Sequence, residues 1–208
     1  RPRRFGKSLL ISTFENYFLG KKELFKGLAI EKLETEWKTY PVFHIDFGTG
    51  SYANEDALNQ IFEFYLSGWE KKYQIEREPG VTDYNLRFKK VLEEAHRQTG
   101  LRAVVLVDEY DKPLLDVMDT GYMVEHLGEQ ITLEEKNRNM LRAFYSTFKG
   151  ADKHLQFVFL TGVTKFSQVS VFSDFNQPND ISMSPKYDTI CGITDEELEQ
   201  TFLQQIEE

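Results

Sequence analysis

The sequence of 208 residues contains one cysteine, Cys191. A single cysteine cannot form a disulfide within the chain, which argues against a disulfide-stabilised secreted domain and favours a reducing, cytoplasmic setting. The sequence also has no run approaching the ~20 apolar residues that cross a bilayer, so we expect no membrane-spanning segment. Its four histidines are widely separated and lack the spacing of zinc ligands.

Basic residues are also in short supply. The chain has 25 Lys and Arg against 34 Asp and Glu, which gives a formal net charge of −9. This surplus of acid argues against a general nucleic-acid-binding surface. The first eight residues are the exception, because they contain Arg1, Arg3, Arg4 and Lys7 and no acid. Such a local patch suits the phosphates of a nucleotide or of a nucleic acid.

Apolar residues make up 40% of the chain, enough for one domain with a sizeable core, which we take to span residues 1–208. Apolar periodicity predicts strands separated by helices, and this alternation favours an α/β fold with a mainly parallel sheet flanked by helices. The predicted strands are 41–47, 103–107 and 156–160, and the predicted helices are 54–72, 82–97, 132–149 and a terminal helix from 194.

The first motif is Gly6-Lys7-Ser8, which opens a helical apolar pattern. Gly6 would let the backbone approach the phosphates of a nucleoside triphosphate, Lys7 would reach the β- and γ-phosphates, and the Ser8 hydroxyl would bind Mg²⁺. In the pattern G-x-x-x-x-G-K-[ST] the first glycine falls on Arg1. No strand precedes the loop, so we expect the first strand of the fold to lie upstream of Arg1. Taken alone, the tripeptide is common enough to occur by chance.

The second motif is Asp108-Glu109, which follows the aliphatic run 104–107. In phosphoryl transfer an aspartate at the end of a buried strand holds the metal, and an adjacent glutamate can polarise the attacking water. The alternative is a solvated loop after a core strand. The polar cluster continues through Tyr110-Asp111-Lys112, which favours a site.

Two more polar residues follow predicted strands. Thr161 comes after a strand expected beside that of Asp108, where its side chain would contact the γ-phosphate or the attacking water; a simple turn cap is an equally good interpretation. Asp46 also ends a strand, although its place before Gly48 favours a turn-forming role. Thr161 begins a long polar segment, 161–190, whose length is typical of a functional or mobile loop.

Four stretches together resemble the predicted AAA-ATPase-like family of bacterial P-loop proteins, and the resemblance spans nearly the whole chain. They are Arg1-Pro2-Arg3-Arg4-Phe5-Gly6-Lys7-Ser8-Leu9, Asp108-Glu109-Tyr110-Asp111-Lys112-Pro113, Thr161-Gly162-Val163-Thr164-Lys165-Phe166-Ser167 and Cys191-Gly192-Ile193-Thr194. In that family Arg-Pro-Arg-Arg-Phe-Gly-Lys-Ser is the phosphate loop itself, so Arg1 in place of glycine is a family trait.

The resemblance implies a P-loop fold of the additional-strand class that binds ATP and Mg²⁺. It implies metal binding by Ser8 and Asp108, activation of water by Glu109 and a sensor role for Thr161. It also implies a C-terminal domain similar to PD-(D/E)xK nucleases, through which nucleic acid would be contacted, and a possible homo-oligomer. The residues that would bind the nucleotide are Arg4, Phe5, Gly6, Lys7, Ser8 and Leu9.

Three functions compete at this point. The first is an ATPase or ATP-driven switch that regulates an attached domain. The second is a non-hydrolysing nucleotide-binding or scaffold module, motivated by the side chain of Arg1 at the glycine position. The third is a metal-dependent nuclease using Asp46 and the cluster from Asp108 to Lys112, but Asp111 and Lys112 are adjacent and would point to opposite sides of a strand.

Overall fold

The computed structural model describes residues 5–164, 179–192 and 194–206. Arg4 and Lys165 lie outside these ranges. The helices are α1 (Lys7–Phe18), α2 (Ile30–Leu33), α3 (Ala57–Lys72), α4 (Tyr84–Thr99), α5 (Lys112–Leu115), α6 (Leu133–Gly150) and α7 (Asp195–Ile206). The strands are β1 (Val42–Asp46), β2 (Ala103–Asp108), β3 (Met123–His126), β4 (Glu129–Thr132) and β5 (Leu155–Leu160).

The main sheet consists of β1, β2 and β5, with β2 in the centre. Both neighbours are parallel to β2, with Asp46 opposite Asp108 and Leu160 opposite Val107. All six residues of β2 are buried, as a parallel strand covered on both faces requires. The α/β fold with a mainly parallel sheet flanked by helices is therefore confirmed.

The helices cover the two faces of the sheet unequally. On one face α3, α4 and α6 form the larger core, in which Phe88 and Phe144 stack at a centroid distance of 4.9 Å. On the other face α1 buries Ile11 against β2 and sets Phe14 edge-on to Phe159 at 5.0 Å. This packing holds the N-terminus of α1 over the sheet. No helix within the described ranges is long and apolar enough to cross a membrane.

The predicted helix starts agree with the structure where a capping residue marks them. Thr132 accepts a hydrogen bond from the backbone N–H of Glu135, and Thr194 and Glu197 cap each other reciprocally. Helix α4 ends at Gly100 with φ 69°, a left-handed conformation that glycine adopts without strain. Capping chemistry therefore located these ends from sequence.

The antiparallel hairpin of β3 and β4 was not predicted. Its turn places Leu127 and Gly128 at φ 54° and 84°, where a two-residue hairpin turn usually has Asn-Gly. Leucine at the first of these positions removes the sequence signal for a hairpin. The Leu127 side chain is 92% exposed, so packing gives no signal either.

A buried ion pair joins α3 to α4. The Arg87 side chain is only 4% exposed, and it donates to Glu70 at 2.7 Å and to Glu63 at 2.5 Å. The hydrogen bond from Arg87 is the main cause that lowers the pKa of Glu63 to about 2. The half-exposed Arg77 also pairs with both carboxylates, at 2.6 Å from Glu63 and 3.1 Å from Glu70. Because Arg87 is desolvated and satisfied by the two carboxylates, removing it leaves the nearly buried Glu70 with Arg77 as its remaining charged partner.

We expect Arg87→Ala to lower the free energy of unfolding by about 3 kcal/mol, because it removes the buried cation of the network and leaves the nearly buried Glu70 with only its 3.1 Å contact to Arg77. Arg97→Ala is the matched control, since Arg97 is 71% exposed and pairs with Glu94 on the surface. That change should cost far less than Arg87→Ala, because solvent screens an exposed pair. Urea denaturation measures both, and equal losses would show that the α3–α4 network is not special.

Candidate functional site

Three polar residues meet at the carboxyl end of the sheet. Asp46 and Asp108 end β1 and β2 in register, and Thr161 follows β5 directly. The backbone N–H of Thr161 donates to the Val107 carbonyl at 2.9 Å, which extends the pairing of β5 with β2 by one residue. The sheet itself therefore brings these residues together, as the strand predictions imply.

Asp108 and Thr161 are in direct contact and nearly buried, at 5% and 7% exposure. The Thr161 hydroxyl donates to Asp108 Oδ1, and the backbone N–H of Glu109 donates to the same oxygen at 3.0 Å. Asp108 Oδ2 accepts no hydrogen bond from the residues that the structure describes. The carboxylate is thus held in place through one oxygen, while the other has no donor among the described residues.

Glu109 has a strained backbone conformation. Its φ is 52°, in the left-handed region that costs a residue with a side chain roughly 1–2 kcal/mol. The turn is held by the Glu109 N–H bond to Asp108 and by a bond from the Lys112 N–H to the Glu109 carbonyl at 3.0 Å. Glu109 is partly exposed, so its carboxylate can reach solvent at the end of the sheet.

Residues Gly6 to Leu9 form the N-terminus of α1. Gly6 caps the helix with φ 82°, a conformation that favours glycine, and it supplies no side-chain capping bond to the first turn. Lys7 is partly buried, whereas Phe5, Ser8 and Leu9 are exposed. The first N–H groups of a helix lack intrahelical acceptors, so this terminus offers donors to an anion.

A groove of about 690 Å³ lies between α1 and β5. Lys7 and Thr161 both line it, together with Phe14 and Phe157 on its apolar side. The structure therefore brings Lys7 and Thr161 to one groove, and Thr161 to Asp108. In the described part of the chain no hydrogen bond joins Ser8 to Asp108, so these two predicted metal ligands are not linked directly.

Asp111 is fully buried and holds the loop after β5. Its Oδ2 accepts hydrogen bonds from the Val163 N–H at 2.8 Å, from the Thr164 N–H at 2.6 Å and from the Thr164 hydroxyl at 2.5 Å. Gly162 fits between these groups only because it has no side chain, since a Cβ there would lie 2.5 Å from the Tyr110 ring. Sequence analysis placed Asp111 in the polar cluster after Glu109 but could not name its partner.

Tyr110 supports the same loop. Its N–H donates to the Thr161 carbonyl at 2.9 Å, and its hydroxyl donates to the Thr164 carbonyl at 2.8 Å. Burial raises the pKa of Tyr110, which keeps the hydroxyl protonated as a donor. Sequence analysis missed this role, and its only signal was the position of Tyr110 inside the polar cluster.

The segment 179–192 reaches the same groove. Asp180 and Cys191 line it, and a Cβ on Gly192 would lie 3.3 Å from the Phe5 ring. Gly192 has φ 99°, which explains the glycine in the Cys191-Gly192 turn. The C-terminal turn is therefore close to the start of α1, a contact that sequence spacing does not reveal.

Asp108 at the end of β2 and Ser8 at the start of α1 carry oxygens that suit a magnesium ion. Mg²⁺ is usually held by one or two protein oxygens together with waters and phosphates, so it needs no dedicated protein cage. Asp108 Oδ2 and the exposed Ser8 hydroxyl are oxygens of this kind. The described residues contain no group of three His, Cys, Asp or Glu side chains placed to hold a metal.

Comparison with known proteins adds family information. Residues 1–172 match the model of a family described as Predicted AAA-ATPase. The chain is 36% identical over 205 residues to an uncharacterized protein in the vnfD 5′ region of Azotobacter chroococcum mcd 1. The alignment covers 97% of this chain and 37% of that relative, so the chain spans little more than a third of the relative's length. No solved structure matches the chain.

We expect Asp111→Ala to lower the free energy of unfolding by about 2–3 kcal/mol, because it removes a charged acceptor shared by two backbone N–H groups. Asp116→Ala is the control, since Asp116 pairs with Lys112 in a partly exposed i,i+4 contact worth less than about 1 kcal/mol. Urea denaturation of both variants tests the assignment. A loss for Asp111→Ala no greater than that for Asp116→Ala would contradict it.

Proposed function

The chain belongs to the Predicted AAA-ATPase family, and from this premise we propose that it is an ATP-binding P-loop domain that uses Mg²⁺ to hydrolyse ATP or to switch an attached domain. The observation that carries the proposal is the buried contact of Thr161 with Asp108 at the end of the sheet, beside a groove that Lys7 also lines. A metal-binding carboxylate, a sensor hydroxyl and a phosphate-binding cation are the groups that phosphoryl transfer needs at one edge.

Each residue has a proposed role in this reaction. The helix N-terminus at Gly6 and the Lys7 ammonium bind the phosphates, and their positive charge offsets the charge on the transferred group. Ser8 and Asp108 hold Mg²⁺, which supplies electrostatic stabilisation of the phosphate oxygens when it is bound. Glu109 accepts the proton of the attacking water, and Thr161 orients that water or the γ-phosphate.

We also propose that a strand preceding Arg1 pairs with β5, as the additional-strand class of P-loop folds requires. Phe157 to Leu160 form a continuous apolar run that is only half-buried, and none of the described strands lies on their open side. Exposed edge strands usually carry charges or proline, whereas such a run is typical of a strand paired on both sides. A strand there would also fill the apolar side of the groove.

If this strand is present, it should protect backbone amides of β5 from hydrogen exchange in the full-length protein. Because the Thr161 N–H points to β2 and strand residues alternate sides, the N–H groups of Val158 and Leu160 point to the open edge. Amide hydrogen exchange at these two residues should be at least about tenfold slower in the full-length protein than in a chain that starts at Arg1, because paired amides exchange only when the sheet opens. Exchange at Val104 and Leu106 of the central strand serves as the internal control. Equal rates at Val158 and Leu160 in the two proteins would contradict the strand.

A non-hydrolysing nucleotide-binding or scaffold module is the second candidate. Its motivation is the side chain of Arg1 at the first glycine position of the phosphate loop. The nuclease alternative has less support. Asp111 is fully buried and already accepts three hydrogen bonds, so it is not available to a nucleic acid.

The proposal about partners comes from the family resemblance. We propose that a further domain, similar to PD-(D/E)xK nucleases, follows the chain and that nucleic acid is contacted through that domain. The relative is much longer than the chain, which spans 37% of its length. Homo-oligomerisation and a cytoplasmic location are further proposals.

We expect the full-length protein to bind ATP with Mg²⁺ and to hydrolyse it. Lys7→Ala should weaken ATP binding at least about tenfold through the loss of a charged phosphate contact. Glu109→Gln should keep ATP binding within about twofold and lower kcat at least about a hundredfold, the usual effect of removing a general base. Calorimetry measures binding, and phosphate release measures turnover.

Lys149→Ala is the control for Lys7→Ala, because Lys149 is an exposed lysine at the far end of α6. Equal ATP affinity in wild type and Lys7→Ala would show that the phosphate site is wrong. ATP binding without turnover in the wild type would favour the non-hydrolysing module. Turnover that survives Glu109→Gln would mean that another group activates the water.

A further inference from the structure

We propose that Gly48 is a positioning residue for Glu109: the missing side chain at position 48 leaves the space that the Glu109 carboxylate occupies. The inference rests on the proposed function, since it concerns the group that would activate water. It follows from the packing of the loop after β1 against the turn after β2, two segments that are far apart in sequence.

The space at Gly48 is shared by two carboxylates. A Cβ built on Gly48 would lie 2.9 Å from Asp46 Oδ1, 3.0 Å from Glu109 Oε2 and 3.2 Å from Glu109 Cδ. The first distance is shorter than real Cβ contacts, and the others are among the tightest, so an added methyl group displaces at least one carboxylate. Gly48 does not have a positive φ, so alanine there strains no backbone.

The loop around Gly48 is held too firmly to move instead. The Phe47 N–H donates to the Asp108 carbonyl at 3.1 Å, and the Gly48 N–H donates to Asp46 Oδ1 at 2.7 Å. The buried Tyr52 hydroxyl donates to the Phe47 carbonyl at 3.0 Å. Burial raises the pKa of Tyr52, so this donor keeps its proton.

The start of the loop is fixed from the helix side as well. The Asp46 N–H donates to the Tyr65 hydroxyl of α3 at 3.0 Å. Glu109 itself has a fixed backbone, with φ 52° and its N–H bonded to Asp108, so only its side chain is free to respond. A methyl group at position 48 therefore moves the ends of the two carboxylate side chains and little else.

Such a displacement affects chemistry more than stability. The end of the Glu109 side chain rotates at low cost, and displacing Asp46 Oδ1 weakens its one bond from the Gly48 N–H. Misplacing a reacting group by about 1 Å can in contrast slow a reaction about a hundredfold. A shift of a few tenths of an ångström should therefore reduce turnover by about tenfold. Binding of ATP does not depend on the Glu109 carboxylate and should not change.

The chain offers two glycines for matched controls. Gly50 lies in the same loop, but its Cβ would meet the Tyr52 ring at 2.7 Å and no atom of Glu109 is among its nearest neighbours. Gly68 lies within α3, and a Cβ there would have no atom outside its own helix turn within 4 Å. Alanine at position 50 tests general loop damage, and alanine at position 68 tests the substitution itself.

The experiment compares Gly48→Ala, Gly50→Ala and Gly68→Ala in the full-length protein by urea denaturation, ATP binding and kcat. Gly48→Ala should lower kcat about tenfold with ATP affinity within about twofold of wild type. Gly50→Ala should cause the larger loss of stability and the smaller loss of kcat. If the loop matters only for folding, stability and kcat will rank Gly48→Ala and Gly50→Ala in the same order, and the proposal is wrong.

A second comparison does not depend on the folding of Gly50→Ala. Glu109→Asp withdraws the carboxylate by one methylene group, so it no longer meets the methyl group at position 48. The fall in kcat caused by Gly48→Ala should shrink to less than about twofold in the Glu109→Asp background, a non-additive result expected of residues in contact. An equal fall in both backgrounds overturns the proposal.

The outcomes also separate this proposal from the proposed function. If the wild type does not hydrolyse ATP, or if Glu109→Gln leaves turnover intact, the proposed role of Glu109 fails and the role of Gly48 fails with it. If Glu109→Gln abolishes turnover while Gly48→Ala behaves like wild type, only the role of Gly48 is wrong.

Discussion

The parallel pairing of β2 with a strand on each side is the constraint on which the rest of the structure depends. Because β1 and β5 both run parallel to β2, their carboxyl ends and the polar residues there reach the same edge. Asp46, Asp108 and Thr161 meet for this reason. The helices cover both faces of the sheet, and the N-terminus of α1 lies at the groove that Thr161 also lines.

Much of this arrangement could be predicted from sequence, because it depends on local pattern. Apolar runs mark the three strands of the main sheet. Two threonines mark helix starts, Thr132 through one capping bond and Thr194 through a reciprocal pair of bonds. A parallel sheet then brings the strand ends together without further information. The contact between Thr161 and Asp108 follows from two strand predictions and one assumption about their order.

The contacts between loops could not be predicted in the same way. Asp111 bonds to residues 163 and 164, and Gly48 packs on Glu109, across separations that carry no periodic signal. The hairpin was missed for a local reason, since Leu127 stands where the turn normally has asparagine. Sequence therefore identified the polar groups of the site, while their orientation depends on tertiary packing.

Two glycines, Gly48 and Gly162, allow loops to pack closely on the turn after β2. At Gly162 a Cβ would strike the Tyr110 ring, and at Gly48 it would meet the Glu109 carboxylate, so the loops after β1 and β5 close on the turn after β2 from both sides. The turn enclosed in this way has the left-handed backbone of Glu109, which is held by the bond from the Glu109 N–H to Asp108 and by the bond from the Lys112 N–H to the Glu109 carbonyl. The carboxylates of Asp108 and Glu109 are thus placed before any ligand binds. Pre-placement of this kind lowers the reorganisation that a reaction requires, which is a reason to maintain strain at this turn and not elsewhere in the sheet.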